Sequence, residues 1–364
     1  MLDLEKLFTA VFDPQRSEVA AVVVDRPHAA VPDNEAWGER RGMAQRWHHA
    51  LSALAAEQGF NVLPLVEFDA TGAHNGELPD RAWSGDRLTS FDALGAETTL
   101  LIALTEFSVT APLIRLTKRF PHLRGASMPR VSPRMEATAL AADYNRVARS
   151  CRRLRERLAA ATSAHIEFST GHRLTFDLRF REPEVDNGQM HRDQPPPRII
   201  NLPSGETFVA PYEGERSEPS RTSGVLPVWW RTDVVRLQIA ANRVEEVQGA
   251  DRSAAHLREF LFADSARCNV AELGLGCNPN ARVWGNVLED EKAGPHIALG
   301  RSEHIGGTVG PDAFSDPRNI WHQDFVYARG CPISVTEITL SASDGESRLL
   351  FRDGSYVSEL EIGI

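Results

Sequence analysis

The chain has 364 residues, 42% apolar and 25% charged, with a formal net charge of −10 and a pI of about 5.7. That length exceeds one ordinary hydrophobic core and predicts two domains. The acidic balance, with no basic run or arginine stripe, argues against a nucleic-acid partner or an anionic membrane surface.

The segment Met1–Arg16 carries charges where a signal peptide needs an apolar core. Cys151, Cys268, Cys277 and Cys331 lack CxxC spacing, which predicts neither a disulfide framework nor a structural zinc site and fits a reducing cytoplasm. Val19–Val24 reads as a buried strand stopped by Asp25-Arg26-Pro27. Asp33 is the expected cap of a long amphipathic helix with Trp37, Met43, Trp47, Leu51 and Leu54 on one face, closed by Gly59. Asn61–Phe68 and Thr98–Leu104 follow as strands, then a helix from about Ala111 to Phe120. Strands separated by helices predict βαβ units and an open parallel sheet. The apolar runs Val19–Val24 and Leu100–Leu104 are too short to span a bilayer. A longer helix, about Pro133 to Ala160, closes this half, and its Arg-rich stretch Cys151–Arg157 reads as a solvated face. Neither GxGxxG nor GxxxxGK[ST] follows a strand here, so no nucleotide site is expected.

From Ser163 the pattern changes to strand and turn. Ala164–Phe168 and Leu174–Phe180 read as a hairpin, Val225–Trp230 and Val234–Ile239 as strands, and Asp251–Phe262 as a short helix. Ile333–Leu340, Arg348–Phe351 and Tyr356–Ile362 complete the chain as strands and turns. The expected architecture is α/β: an N-terminal open α/β domain with a parallel sheet over residues 1–162, and a mainly β (α+β) domain that holds metal over 163–364.

The chemistry concentrates between Asn201 and Asp324. Glu206 follows the turn Asn201–Gly205 at the start of a strand and reads either as a surface glutamate or as a carboxylate aimed into a cavity. Glu272 is isolated in the apolar, glycine-flanked segment Ala271–Gly274, where a buried carboxylate needs a cation, a metal or a proton. His296 heads an apolar strand and reads either as a satisfied core histidine or as a ligand. His322 and Asp324 are two apart in a strand, so both side chains point to one face. The charged run Leu288–Lys292 reads as a solvated loop, Glu289 included. Three carboxylates and two imidazoles suit a two-metal hydrolytic site. Trp229-Trp230 and the cluster Asp25, Arg26 and His28 are weaker candidates for substrate contact.

The order NLPSGE…FVAP, AELGLG, DEKAGPHIALG and WHQDFV resembles the aminopeptidase T type metallopeptidases, peptidase family M29, over roughly Asn201 to Phe325. The resemblance implies two divalent metal ions (Zn²⁺, Co²⁺ or Mn²⁺) on Glu206, Glu272, His296, His322 and Asp324, with Glu291 as general base or supporting group. It further implies a homodimer acting on a small-molecule or short peptide substrate. Family members carry a tyrosine seven residues after the first ligand histidine; this chain has Glu303 there, the candidate replacement. The first reading is therefore a metal-dependent aminopeptidase-like hydrolase. An alternative on the same fold is a mononuclear non-haem Fe(II) dioxygenase of the 2,5-dihydroxypyridine dioxygenase type, with His322, Asp324 and a further histidine such as His296 as ligands. A catalytically silent binding relative is the third reading, motivated by the missing tyrosine.

Overall fold

The computed structural model describes residues 2–360 and 362. The chain divides into two compact units: residues 1–148 with 188–204, and residues 149–187 with 205–364. The first division falls inside the helix Tyr144–Ala159, and a short segment later returns to the first unit.

The first unit is built on a mostly parallel sheet. Its strand order is Ile199–Asn201, Arg124–Pro129, Leu100–Thr105, Val19–Arg26, Val66–Asp69, Ala82–Ser84 and Arg87–Thr89, with Asn61–Val62 also pairing with Val19–Arg26. The continuous apolar runs are explained by burial on both faces: every residue of Leu100–Thr105 is buried. Ala21, Val23, Leu101 and Ala103 join a core with Phe91, Leu94, Leu113 and Leu116 from the helices Phe91–Glu97 and Thr110–Arg119. The helix Glu35–Gln58 packs against Val19–Arg26 and buries Trp37, Met43, Trp47, Leu51 and Leu54. Its cap is Asn34, whose side chain accepts from the Trp37 amide; the expected cap, Asp33, instead accepts from Arg41. Gly59 closes the helix at φ 82°, the left-handed conformation glycine adopts without a Cβ penalty. The expected long helix Pro133–Ala160 is broken into two 3₁₀ turns, Pro133–Ala137 and Ala139–Ala141, before Tyr144–Ala159. Asp143 restarts the helix by accepting from the Asn145 and Arg146 amides.

The second unit is mainly β. One antiparallel sheet runs Arg243–Gln248, Asp233–Ala240, Ser223–Trp230, Arg173–Asp177, Ser163–Phe168, Val335–Ser341, Ser347–Arg352 and Ser355–Tyr356. The expected strand and turn over Tyr356–Ile362 is the end of this last strand followed by a 3₁₀ turn, Ser358–Leu360, with Glu361 outside the described residues. The second sheet has five strands in the order Glu184–Asp186, Glu206–Val209, Val270–Gly276, Pro295–Gly300 and His322–Val326. The mixed α/β class expected from the sequence is the class observed. No helix among the described residues is long and apolar enough to cross a membrane.

Candidate metal centre

The five-stranded sheet has one apolar face and one face built for polar chemistry. Residues directly opposite in an antiparallel pair share a face, as do residues two apart in a strand. Leu273, Leu275, Ile297, Leu299, Phe325 and Val209 fill the first face and are all buried. The other face follows from the register: Asp186 lies opposite Glu206, Glu206 opposite Gly276, Gly274 opposite His296, Glu272 opposite Ala298, and Ala298 opposite Asp324. His322 lies opposite Gly300. Small residues therefore alternate with the histidines and carboxylates and leave the face open.

This explains the AELGLG segment. At Gly274 a Cβ would lie 1.9 Å from His296 Nε2, so only glycine admits the imidazole there. At Gly276 a Cβ would lie 2.2 Å from the Glu291 carbonyl oxygen, so this glycine lets the 291–292 backbone approach. Glu272, two residues before Gly274, projects onto the same cleared surface.

The structure brings all five residues read from the sequence as ligands into two overlapping triads, Glu206–Glu272–His296 and Glu272–His322–Asp324. His296 Nε2 is 3.2 Å from Glu206 Oε2 and 3.5 Å from Glu272 Oε1. His322 Nε2 is 3.3 Å from Glu272 Oε2 and 3.5 Å from Asp324 Oδ1. Each imidazole turns its other nitrogen to a backbone carbonyl: His296 Nδ1 to Gly294 at 3.3 Å and His322 Nδ1 to Arg301 at 2.7 Å. A carbonyl only accepts, so the Nδ1 proton is donated there and Nε2 is aimed at the carboxylates. Burial raises the Glu272 carboxyl, but hydrogen bonds to His296 and His322 outweigh it and hold the group below the usual carboxylate range. Burial lowers both imidazoles; Glu206 and Glu272 beside His296, and Asp324 and Glu272 beside His322, outweigh it and push both well above the ordinary value.

This donor set fits a metal. Oxygen and nitrogen ligands at 2.0–2.1 Å around one tetrahedral ion are about 3.3 Å apart, close to the spacings in each triad. Glu206 Oε2 is buried without a hydrogen-bond partner, and carboxylate oxygens facing Nε2 atoms call for a shared cation. Each triad brings three such atoms together, and Glu272 belongs to both.

The charged run before His296 is not the solvated loop expected. Glu289 and Lys292 are both 0% exposed. Glu289 accepts from the Arg282 amide and from Trp284 Nε1, and Asp290 accepts from the Trp284 and Gly285 amides. Lys292 Nζ donates to Glu206 Oε1 and Glu291 Oε1, each at 2.5 Å, and lies 3.6 Å from Asp186 Oδ2. Burial lowers the Lys292 ammonium, yet Glu206, Glu291 and Asp186 outweigh it and keep it charged. Burial pushes the Glu291 carboxyl up to about 8, with Glu206 and Asp324 adding to it and Lys292 opposing. Lys292 is the principal residue that sequence reasoning missed. Its carbonyl accepts from Asn278 and its backbone passes over Gly276, so the glycine pattern was the available signal.

Glu303 accepts from Nε and Nη2 of Arg301 and lies 3.5 Å from His304 Nδ1. Burial opposes ionisation, but hydrogen bonds to His304 and Arg301 hold its carboxyl down to about 2. Its neighbour His304, to which the sequence assigned no role, sets its ring edge-on to His322 with centroids 4.9 Å apart. Glu213 anchors this loop by accepting from Ser302 Oγ and from the Thr308 amide and hydroxyl. Trp230 donates to His256, while Trp229 is exposed. In the first unit Asp25 is buried and accepts from the Glu106 amide and Trp37 Nε1, Arg26 pairs with Asp69, and His28 bonds the Ala70 carbonyl.

No protein-family model matches the chain, and no curated protein matches it. The solved structures that share its fold include two that span nearly all of it. One is 2,5-dihydroxypyridine dioxygenase from Pseudomonas putida KT2440, at 17% identity and a TM-score of 0.62, covering 98% of this chain and 97% of that one. The other is wild-type AmpT from Thermus thermophilus, an aminopeptidase, at 16% identity and a TM-score of 0.57, covering 97% of this chain and 98% of that one. At these identities the likeness establishes the fold. Both neighbours are enzymes, with different chemistries.

Proposed function

We propose that the chain is a metal-dependent hydrolase with a two-metal centre, acting at the N-termini of peptides or related amides. One observation carries this reading: the ligating groups divide into two triads of like composition, each with one imidazole and two carboxylates, sharing Glu272. A single-iron site of the two-histidine, one-carboxylate type would draw both imidazoles to one ion, whereas His296 and His322 sit on opposite oxygens of Glu272.

Glu206, Glu272 and His296 would hold one divalent ion, and Glu272, His322 and Asp324 the other. Such ions supply Lewis acidity toward a carbonyl oxygen and a water acidified to near neutrality. The protein groups divide the remaining work. The carbonyls of Gly294 and Arg301 hold each imidazole by Nδ1. Glu291, buried beside the ligands and raised by that burial, would take the proton from water and return it to the leaving amine. Lys292 holds Glu291 Oε1 in place. Glu303, held ionised by Arg301, is suited to orienting His304 rather than to donating a proton.

The test is hydrolysis of aminoacyl-p-nitroanilides and dipeptides by protein loaded with Zn²⁺, Co²⁺ or Mn²⁺. Turnover that falls at least a hundredfold in Glu291→Gln, with metal content unchanged, is the expected result. Absence of hydrolysis with every metal, together with Fe(II)-dependent oxygen uptake on hydroxylated pyridines, would overturn it. That second reading, an iron dioxygenase, is favoured by His304, whose ring edge-on to His322 offers a second imidazole.

A further inference from the structure

Within the two-metal reading, on which this inference rests, the two triads are not electrostatically equivalent. Glu206 divides its oxygens: Oε2 faces His296 at 3.2 Å, while Oε1 accepts from Lys292 at 2.5 Å. The ammonium is fully buried, and its three carboxylate neighbours Glu206, Glu291 and Asp186 all lie on this side of the centre. It cannot swing out to solvent easily, because its own backbone is pinned by the Asn278 amide and by the close approach to Gly276. The other triad has no such neighbour. Among the described residues, no lysine or arginine lies within ion-pair distance of Glu272 or Asp324, whose charged partners are histidines.

We propose that Lys292 is a resident third cation that makes the Glu206–Glu272–His296 subsite the weaker of the two, so that the centre fills in order, Glu272–His322–Asp324 first. The ammonium takes part of the negative charge that would otherwise attract the ion, and like charges this close repel in a site shielded from water. Lys292 is thus a positioning residue that sets the occupancy of the centre through Glu206. The consequence is a hydrolase that, at low metal supply, carries one ion per chain at the His322 side.

The experiment titrates chelator-stripped full-length protein with Zn²⁺ against a competing chromophoric chelator, and reads bound zinc per chain by elemental mass spectrometry. Wild type is expected to bind two zinc ions in steps separated by at least tenfold in affinity. Asp324→Asn should remove the tight step, Lys292→Arg should preserve the gap, and Lys292→Met should narrow it by at least tenfold. If Lys292→Met does not fold, Asp186→Asn takes its place: removing that carboxylate, 3.6 Å from the ammonium, leaves Lys292 less compensated and should widen the gap. Two equal steps in wild type overturn the inference while leaving the two-metal reading intact, as does a gap unchanged by the Met substitution or, in its place, by Asp186→Asn. Failure to bind a second zinc at any concentration overturns the two-metal reading itself.

Discussion

Gly274→Ala tests whether the sheet was cleared for His296. The added Cβ would lie 1.9 Å from Nε2, 2.3 Å from Cε1 and 2.5 Å from Cδ2 of that ring, whereas ordinary van der Waals contact begins at 3.4 Å. The ring must therefore retreat by about 1.5 Å. It has little room, because Nδ1 is tied to Gly294 O and the flanking strand residues Ile297 and Leu299 are packed on the opposite face. Such a displacement takes Nε2 out of the Glu206–Glu272 pair, and we expect affinity at that subsite to fall on the order of 100-fold. Overpacking should also cost about 1–3 kcal/mol of stability. Gly42→Ala is the control: nothing lies within 4 Å of a Cβ there, and the residue is mid-helix, where alanine is favoured. Zinc titration of both variants, with urea denaturation alongside, is the assay. If Gly274→Ala binds two zinc ions within threefold of wild-type affinity, His296 is not a ligand and the argument fails.

Three further outcomes are expected. Arg124 is fully buried and donates to both oxygens of Glu18 and to the carbonyls of Phe12 and Met190; Arg124→Met strands the Glu18 carboxylate and should cost about 3–5 kcal/mol in urea denaturation, and a loss under about 1 kcal/mol would contradict this. Burial raises the Asp177 carboxyl, but Arg179 and the Arg221 amide outweigh it and hold it below 3.8, so the unfolded chain binds more protons as pH falls and the stabilisation present above that value is lost through the lower native one. Asp177→Asn should therefore destabilise at pH 7 by more than at pH 3, and an equal deficit at both would refute the assignment. Chelator should lower Tm and zinc restore it, since an ion at 100 times its Kd contributes about 2.7 kcal/mol; a Tm indifferent to both would count against bound metal.

The legible parts of this chain are those where local pattern and tertiary role coincide. Val19–Val24 and Leu100–Leu104 are apolar without interruption because both faces of the parallel sheet are covered. His322 and Asp324 could be paired because strand period puts them on one face wherever the strand lies. Other features depend on distant chain. The run Glu289-Asp290-Glu291-Lys292 looks solvated because charge density normally means water, but here Trp284, Arg282, Glu206 and Asp186 supply partners that no spacing rule reveals. The return of residues 188–204 to the first unit rests on the pairing of Ile199–Asn201 with Arg124–Pro129, a parallel contact between strands far apart in sequence. The break near Asp143 was readable in principle, since an aspartate at that place is a ready helix cap, but the surrounding helix formers obscured it.

The central claim, two ions sharing Glu272, is tested most directly by metal content. Elemental mass spectrometry on protein purified without oxygen or chelator, set against protein concentration, should return close to two Zn, Mn or Co per chain after saturation, falling to one or fewer in Glu272→Gln. Close to one iron per chain with little else, or no metal even after reconstitution, would contradict the account.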